Sequence, residues 1–548
     1  MFPLNYLLIL ASSIHLSFSL APSSLNEIEP VQAIIRQELT EDTNVPKHTD
    51  TDKCQSLNPQ DCKNLDESLG RQLAERRLNP SIGDNIRVIV LLIKFSDHTT
   101  RDLPSREYFE EFFNGEGTEL GSVKEWMRFN SVGRYRVHFT VREWATLPNT
   151  EKFYAAGNSA WDTDFNPVVA PLLDEIDNDP NHKWSPDYID EFGKLNHLIV
   201  VHSGYMAEVG DLSCLTSNPN RVDRIWSSGG NGEGTGAPDA WRSKDFYEVG
   251  GMALLSAFSI PSCDKSGAFH VEPAALGPFV HEFSHGFGLP DLYDLNVPPL
   301  GGVGKFSNMA SSQGWDFSPK SPGHMDGWSR ARIGWVDYID IEFDGYYAVQ
   351  PLEVSGQVYR ITKGYPEGEY LVIENKQPIK YDSDMPAGTG GIVIFHVDEK
   401  ADRQKNAGYP GKPGWPAAHY RVAVQQADGN YDIEKGVNLG DEGDFYRKGS
   451  KLSSGGDFPN TDSYQGGVIK STGINIEVVT DSQFIMAFHV TGLGQRTLDM
   501  QASSVGSTEG NVQGKPFLRE GSPRATVAWI LGMFMSIGLM LGMLLVFL

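Results

Sequence analysis

The stretch His281-Glu282-Phe283-Ser284-His285-Gly286-Phe287-Gly288-Leu289-Pro290-Asp291 constrains the fold more than any other part of the chain. Residues i and i+4 of an α-helix lie on one face, so a helix here turns the rings of His281 and His285 toward one point. Phe279, Phe283 and Phe287 recur at the same interval beside Val280 and give the opposite face something to bury. Pro278 suits a first turn. Gly288 permits a positive φ, and Pro290 keeps the helix from resuming. The pattern predicts a helix over Pro278–Phe287, a tight turn, and a return of the chain that carries Asp291 back toward the two imidazoles.

Those residue types in that order point to metal chemistry. Three protein ligands with one open position are the catalytic arrangement for zinc, as opposed to the closed four-ligand structural one. Glu282 follows the first candidate ligand, so its carboxylate sits where a metal-activated water would be. Zinc brings the pKa of such a water to about 7, and a glutamate at this place takes its proton. The bland alternative is a buried amphipathic helix with two ordinary histidines, which leaves Gly288 and Asp291 unexplained.

The segment HEFSHGFGLPDLYD resembles the active site of the immune inhibitor A-type metallopeptidases, a secreted branch of the zincins with metzincin-like geometry. The resemblance implies His281, His285 and Asp291 as zinc ligands, Glu282 as general base and acid, and a methionine turn below the metal. The matching methionine is Met309 in Phe306-Ser307-Asn308-Met309-Ala310-Ser311-Ser312. Asp294 competes for the place of third ligand, and metzincin-like spacing favours Asp291. Similarity continues in Val88–Asp97, in Gly121–Gly133, in Leu198–Gly204, and in Gln426–Gly429 with Gly440–Asp444, so that it covers about 87–492. The chain departs from the family at Asp174–Pro180 and Asp187–Asp190. This region is acidic but lacks the D-x-D-G rhythm of a calcium loop. Calcium is a further candidate cofactor at Asp428, Asp432, Asp441, Glu442 and Asp444, although an acidic solvated loop explains that cluster more simply.

Both ends carry processing signals. Leu4 to Ala21 is apolar and closes in small residues, so 1–21 reads as a secretory signal peptide. Residues 525–548 contain no charge and are long enough as a helix to span a bilayer. A polar stretch with Ser504, Ser507 and Gly510 as acceptor candidates precedes them, which fits a glycosylphosphatidylinositol (GPI) attachment signal. A retained transmembrane helix is the alternative. Four cysteines in a secreted chain are expected to pair, and Cys54–Cys62 with Cys214–Cys263 is the economical choice among three connectivities. The net charge of −25 argues against nucleic acid as a partner, since phosphate binding needs a basic surface.

The remaining pattern divides the chain. Residues 22–86 form a polar N-terminal extension, which the resemblance casts as a propeptide; Arg76-Arg77 is a dibasic cleavage candidate. Strands are predicted over 87–95, 135–141, 195–202 and 252–260, and helices over 123–129, 278–287 and 323–333. After about residue 336 strands dominate. The expected fold is α+β: a zincin/metzincin-like catalytic domain over 87–337 with a mixed sheet and an active-site helix, then a β-sandwich-like domain over 338–492, a polar stalk over 493–524 and the hydrophobic tail. His396 and His419 read as ordinary strand-edge residues. The leading function is a secreted or cell-surface zinc endopeptidase acting on protein or peptide substrates and held to a membrane by its tail or a GPI anchor. An inactive adhesion ectodomain on a protease scaffold is the alternative, and a non-peptide substrate for the same zinc is a third reading. Subsite preference and oligomeric state are not legible.

Overall fold

A computed structural model describes residues 86–495 apart from 118–120, 190–193, 231–240, 295, 298–300, 387, 402–403 and 405–407. The segment read as a signal peptide, Cys54, Cys62, Arg76-Arg77, residues 496–524 of the expected stalk and the hydrophobic tail lie outside the described residues, whereas Leu493 is buried in a core cluster. No described helix is long and apolar enough to cross a membrane.

The first strand, Ile86–Lys94, is apolar at nearly every position because both of its faces are covered. Val88, Val90 and Leu92 enter one hydrophobic cluster, and Ile89, Leu91 and Ile93 enter another. The same alternation continues in Leu198–His202 and Met252–Ser256, where Ile199, Val201, Ala253 and Leu255 share the first cluster and Leu198, Val200, Met252 and Leu254 the second. These strands build a five-stranded sheet in the order Val137–Thr146, Ile86–Lys94, Leu198–His202, Met252–Ser256, Ser228–Gly230. The first four run parallel, and Ser228–Gly230 is an antiparallel edge strand.

Helices cover both faces, as parallel strands require. Asn166–Asn178 places Val169, Leu173 and Ile176 in the second cluster. Its internal Pro171 hid it from sequence reading, although its apolar spacing is sound. On the other face lies Leu276–His285, which begins two residues before the predicted start and leaves Pro278 in the first turn. Phe279, Val280, Phe283 and Phe287 all join the first cluster, each worth about 1.5–3 kcal/mol of apolar burial. Phe283 meets Phe139 at 5.7 Å between ring centroids, and Phe287 meets Trp335 at 5.4 Å.

The C-terminal region is β-rich, with a five-stranded and a four-stranded sheet. The strands Glu369–Lys376 and Gly391–Asp398 pair antiparallel and are buried throughout. Val372, Val393, Phe395 and Val397 lie in the same cluster as the helix Leu276–His285. Leu371, Ile373, Ile392 and Ile394 face Ile476, Val478, Phe488 and Val490 of the four-stranded sheet. One sheet is thus shared between two cores, and the described residues fall within one compact unit. His396 and His419 are interior rather than strand-edge residues. His396 Nε2 lies 2.8 Å from Glu369, and His419 Nε2 lies 3.1 Å from Asp398. Cys214 and Cys263 form a disulfide.

Candidate metal centre

The helix Leu276–His285 turns its phenylalanines into the core and leaves His281, Glu282 and His285 on the opposite side. Past it, Gly288 adopts φ +82°, the left-handed conformation that a side chain disfavours. That turn brings Asp291 back. Its Oδ1 lies 3.2 Å from His281 Nε2 and 3.2 Å from His285 Nε2. The three ligand atoms lie within 4.8 Å of one another. Tetrahedral zinc ligands at 2.0–2.1 Å from the ion lie roughly 3.3 Å apart, so the spacing fits that ion.

The hydrogen bonds behind the imidazoles fit it as well. His281 Nδ1 lies 2.9 Å from the carbonyl of Asn308, and His285 Nδ1 lies 2.7 Å from the carbonyl of Leu289. A carbonyl only accepts, so each Nδ1 carries a proton and each ring, once its Nε2 proton is displaced, presents a lone pair to the centre. Asp291 Oδ1 is buried and has no hydrogen-bond donor, as expected of an atom kept for a cation.

The electrostatics of the protein's own groups suit a cation as well. Burial opposes the charge on His285, but the Asp291 carboxylate beside its Nε2 and the field of Glu282 outweigh it and lift the ring to about 9. Burial raises the Asp291 carboxyl, but the two imidazoles outweigh that and hold it well below the usual carboxylate range. Burial pushes Glu282 up. The group balances its carboxylates by drawing protons onto histidines, a balance that a dication provides directly.

Met309 is fully buried in the core cluster of the helix. Its carbonyl accepts from Leu292 N–H at 2.8 Å, next to Asp291, while its neighbour Asn308 holds His281. The turn therefore fixes two of the candidate ligands through its backbone. Asp294 is placed elsewhere: it is fully buried, accepts from Asn296 N–H at 2.9 Å and Tyr420 Oη at 3.2 Å, and is absent from the ligand group. Sequence reading missed Tyr293, whose ring stacks on His281 at 6.1 Å. Burial, then Asp291 and Glu282, hold its phenol protonated. It also missed Glu208, whose carboxyl lies in the field of Glu282.

A second carboxylate group, Asp428, Asp441 and Asp444, also lies within 4.8 Å. It is only partly the solvated loop expected, because Asp444 is buried. Asp444 accepts the N–H of Asp441, and Asp441 accepts the N–H of Gly443, so local backbone donors account for this convergence.

A helix presenting two imidazoles and a carboxylate, a glycine turn returning a second carboxylate, and a buried methionine turn beneath them are the parts of a zincin-type catalytic domain. This part of the chain is similar to the catalytic domain of the immune inhibitor A peptidase M6 family. Residues 84–335 match the model of the immune inhibitor A peptidase M6 catalytic domain. Immune inhibitor A from Bacillus thuringiensis subsp. alesti is 24% identical over 251 residues, which cover 38% of this chain and 34% of that protein. The pre-pro-metalloprotease PrtV of Vibrio cholerae serotype O1 (strain M66-2) is 22% identical over 214 residues, 36% of this chain and 22% of that protein. The chain thus spans about a third or less of the length of these curated relatives.

Proposed function

We propose that this chain is a zinc-dependent endopeptidase with His281, His285 and Asp291 as metal ligands and Glu282 as general base and acid. The observation that carries the reading is the pair of imidazoles pinned at Nδ1 by carbonyls, with both Nε2 atoms 3.2 Å from one orphaned carboxylate oxygen. Bound zinc would polarise a scissile carbonyl and acidify the attacking water.

The protein's own part is orientation and proton transfer. The carbonyls of Asn308 and Leu289 fix the tautomer and tilt of both imidazoles. Glu282 Oε2, 3.9 Å from His285 Nε2, would take the proton of the attacking water and deliver it to the leaving amine. Its raised pKa, set by burial, suits a group that must both accept and return a proton. The matching family model, a peptidase catalytic domain, and the name of one relative, a pre-pro-metalloprotease, agree with peptide bonds as the substrate class. An inactive binding ectodomain would have no use for an intact base beside an intact ligand set. Secretion and membrane attachment rest on sequence outside the described residues.

Glu282→Ala tests the assignment. It removes the proton carrier and no metal ligand, so zinc content and fold should persist while peptide hydrolysis drops by at least about 10²–10⁴-fold. Comparable hydrolysis by the variant at equal zinc content contradicts the role.

A further inference from the structure

A second carboxyl lies in the field of Glu282 without a part in the reaction described above. Glu208 lies in the loop that follows Leu198–His202. One of its oxygens, Oε1, accepts the N–H of Ser227 at 2.5 Å. Ser227 immediately precedes the edge strand Ser228–Gly230, and that strand presses on the active-site helix: a Cβ on Gly229 would fall 2.0 Å from the carbonyl oxygen of Glu282. Glu208 is therefore fastened where the edge strand meets the helix at the catalytic glutamate.

Its other oxygen, Oε2, is buried and has no hydrogen-bond donor. Arg224 shares its field but spends its Nη groups on the carbonyls of Met206 and Gly210, and Glu208 forms no ion pair with any described residue. Glu282 and the Tyr293 phenol, both of the metal centre, lie within its field and are themselves acidic. Burial, with Glu282 adding to it, lifts its carboxyl to about 7 against the pull of the Ser227 hydrogen bonds. A carboxylate that served only to anchor the strand would be expected to have both oxygens satisfied. A half-satisfied one, among acids and beside the reacting groups, is suited to a cation brought by the ligand.

We propose that Glu208 is a specificity residue that receives a lysine or arginine side chain of the substrate next to the scissile bond. The inference rests on the endopeptidase reading for the word substrate, and its test separates the two. Peptides identical but for lysine or norleucine at one position on either side of the cleaved bond are titrated calorimetrically into the zinc-loaded full chain carrying Glu282→Gln, which binds without turnover. The lysine peptide should bind roughly ten- to a hundredfold more tightly, the worth of one charged hydrogen bond. Adding Glu208→Gln keeps an acceptor for Ser227 N–H and should abolish that preference. Equal binding of the two peptides where Glu208 is present overturns the proposal, whether or not the double variant folds. So does a lysine preference that survives Glu208→Gln. Hydrolysis by the wild-type chain is read in parallel. Lysine-selective binding without any hydrolysis sinks the endopeptidase reading and leaves Glu208 as the cation site.

Discussion

At the scale of single residues, the site is decided by which atoms are left unsatisfied. Asp291 and Asp294 stand three residues apart and look equivalent in sequence. Asp294 is consumed by Tyr420 and Asn296, whereas Asp291 turns an orphaned oxygen to two imidazoles. Asp291→Ala should therefore weaken zinc binding by at least about tenfold, since each ligand contributes well over 1.4 kcal/mol of the 10–16 kcal/mol typical of bound zinc. Asp294→Ala should leave zinc affinity within a few-fold and chiefly cost stability. Zinc titration of both variants decides, and the reverse order moves the third ligand to Asp294. Asp444 yields a prediction of another kind. Burial lifts it to about 8, far above the roughly 3.9 of an unfolded aspartate. Between those values the folded form keeps a proton that the unfolded chain releases, so stability is lost as pH rises through the window and levels off above about 8. With chelator present, the thermal midpoint of Asp444→Asn should gain on that of wild type from pH 5 to pH 8.5. Parallel curves would show that Asp444 ionises normally.

At the scale of elements, the strongest join is a buried ionic one that apolar patterning could not announce. The helix Gly327–Arg332 starts at Asp326, and its Gly327 N–H is accepted by Glu374 of the strand Glu369–Lys376 at 2.6 Å. On the same strand, Lys376 lies 2.7 Å from Asp382, whose other oxygen holds Trp315 Nε1 at 3.0 Å, and Glu353 closes the group. All of these charges are removed from water. Lys376→Met leaves Asp382 and Glu353 buried without their cation and should lower unfolding free energy by about 3–5 kcal/mol. Denaturant unfolding checks it; a loss below about 1 kcal/mol would mean that Arg330, buried on the helix Gly327–Arg332 in the field of Glu353, Glu374 and Asp382, compensates alone.

At the scale of the molecule, what was legible depended on what each pattern reports. The zinc helix, its glycine turn and the long apolar strands were legible because 3.6- and 2-residue periods survive in the sequence as they stand. The edge strand Ser228–Gly230 was not, since it has no apolar side chain and is held by its neighbour Met252–Ser256 and by its contact with Glu282. The helix Arg106–Asn114 was legible in Tyr108, Phe109, Phe112 and Phe113 and was passed over. Glu208, Tyr293 and the Asn308 carbonyl have no motif, because they act through positions that only the fold brings together. The boundary expected at 337/338 falls where one apolar cluster runs from Val88 to Phe445, so the β-rich sheet forms part of the wall behind the active-site helix. The measurement that bears most directly on the central claim uses the chain whole. Metal-free protein is titrated with zinc while hydrolysis of a mixed peptide library is followed by mass spectrometry. Internal peptide-bond cleavage should rise to a plateau at one zinc per chain and vanish again on chelation. Cleavage that is indifferent to zinc and chelator, or a zinc-saturated chain that cleaves nothing, contradicts the account.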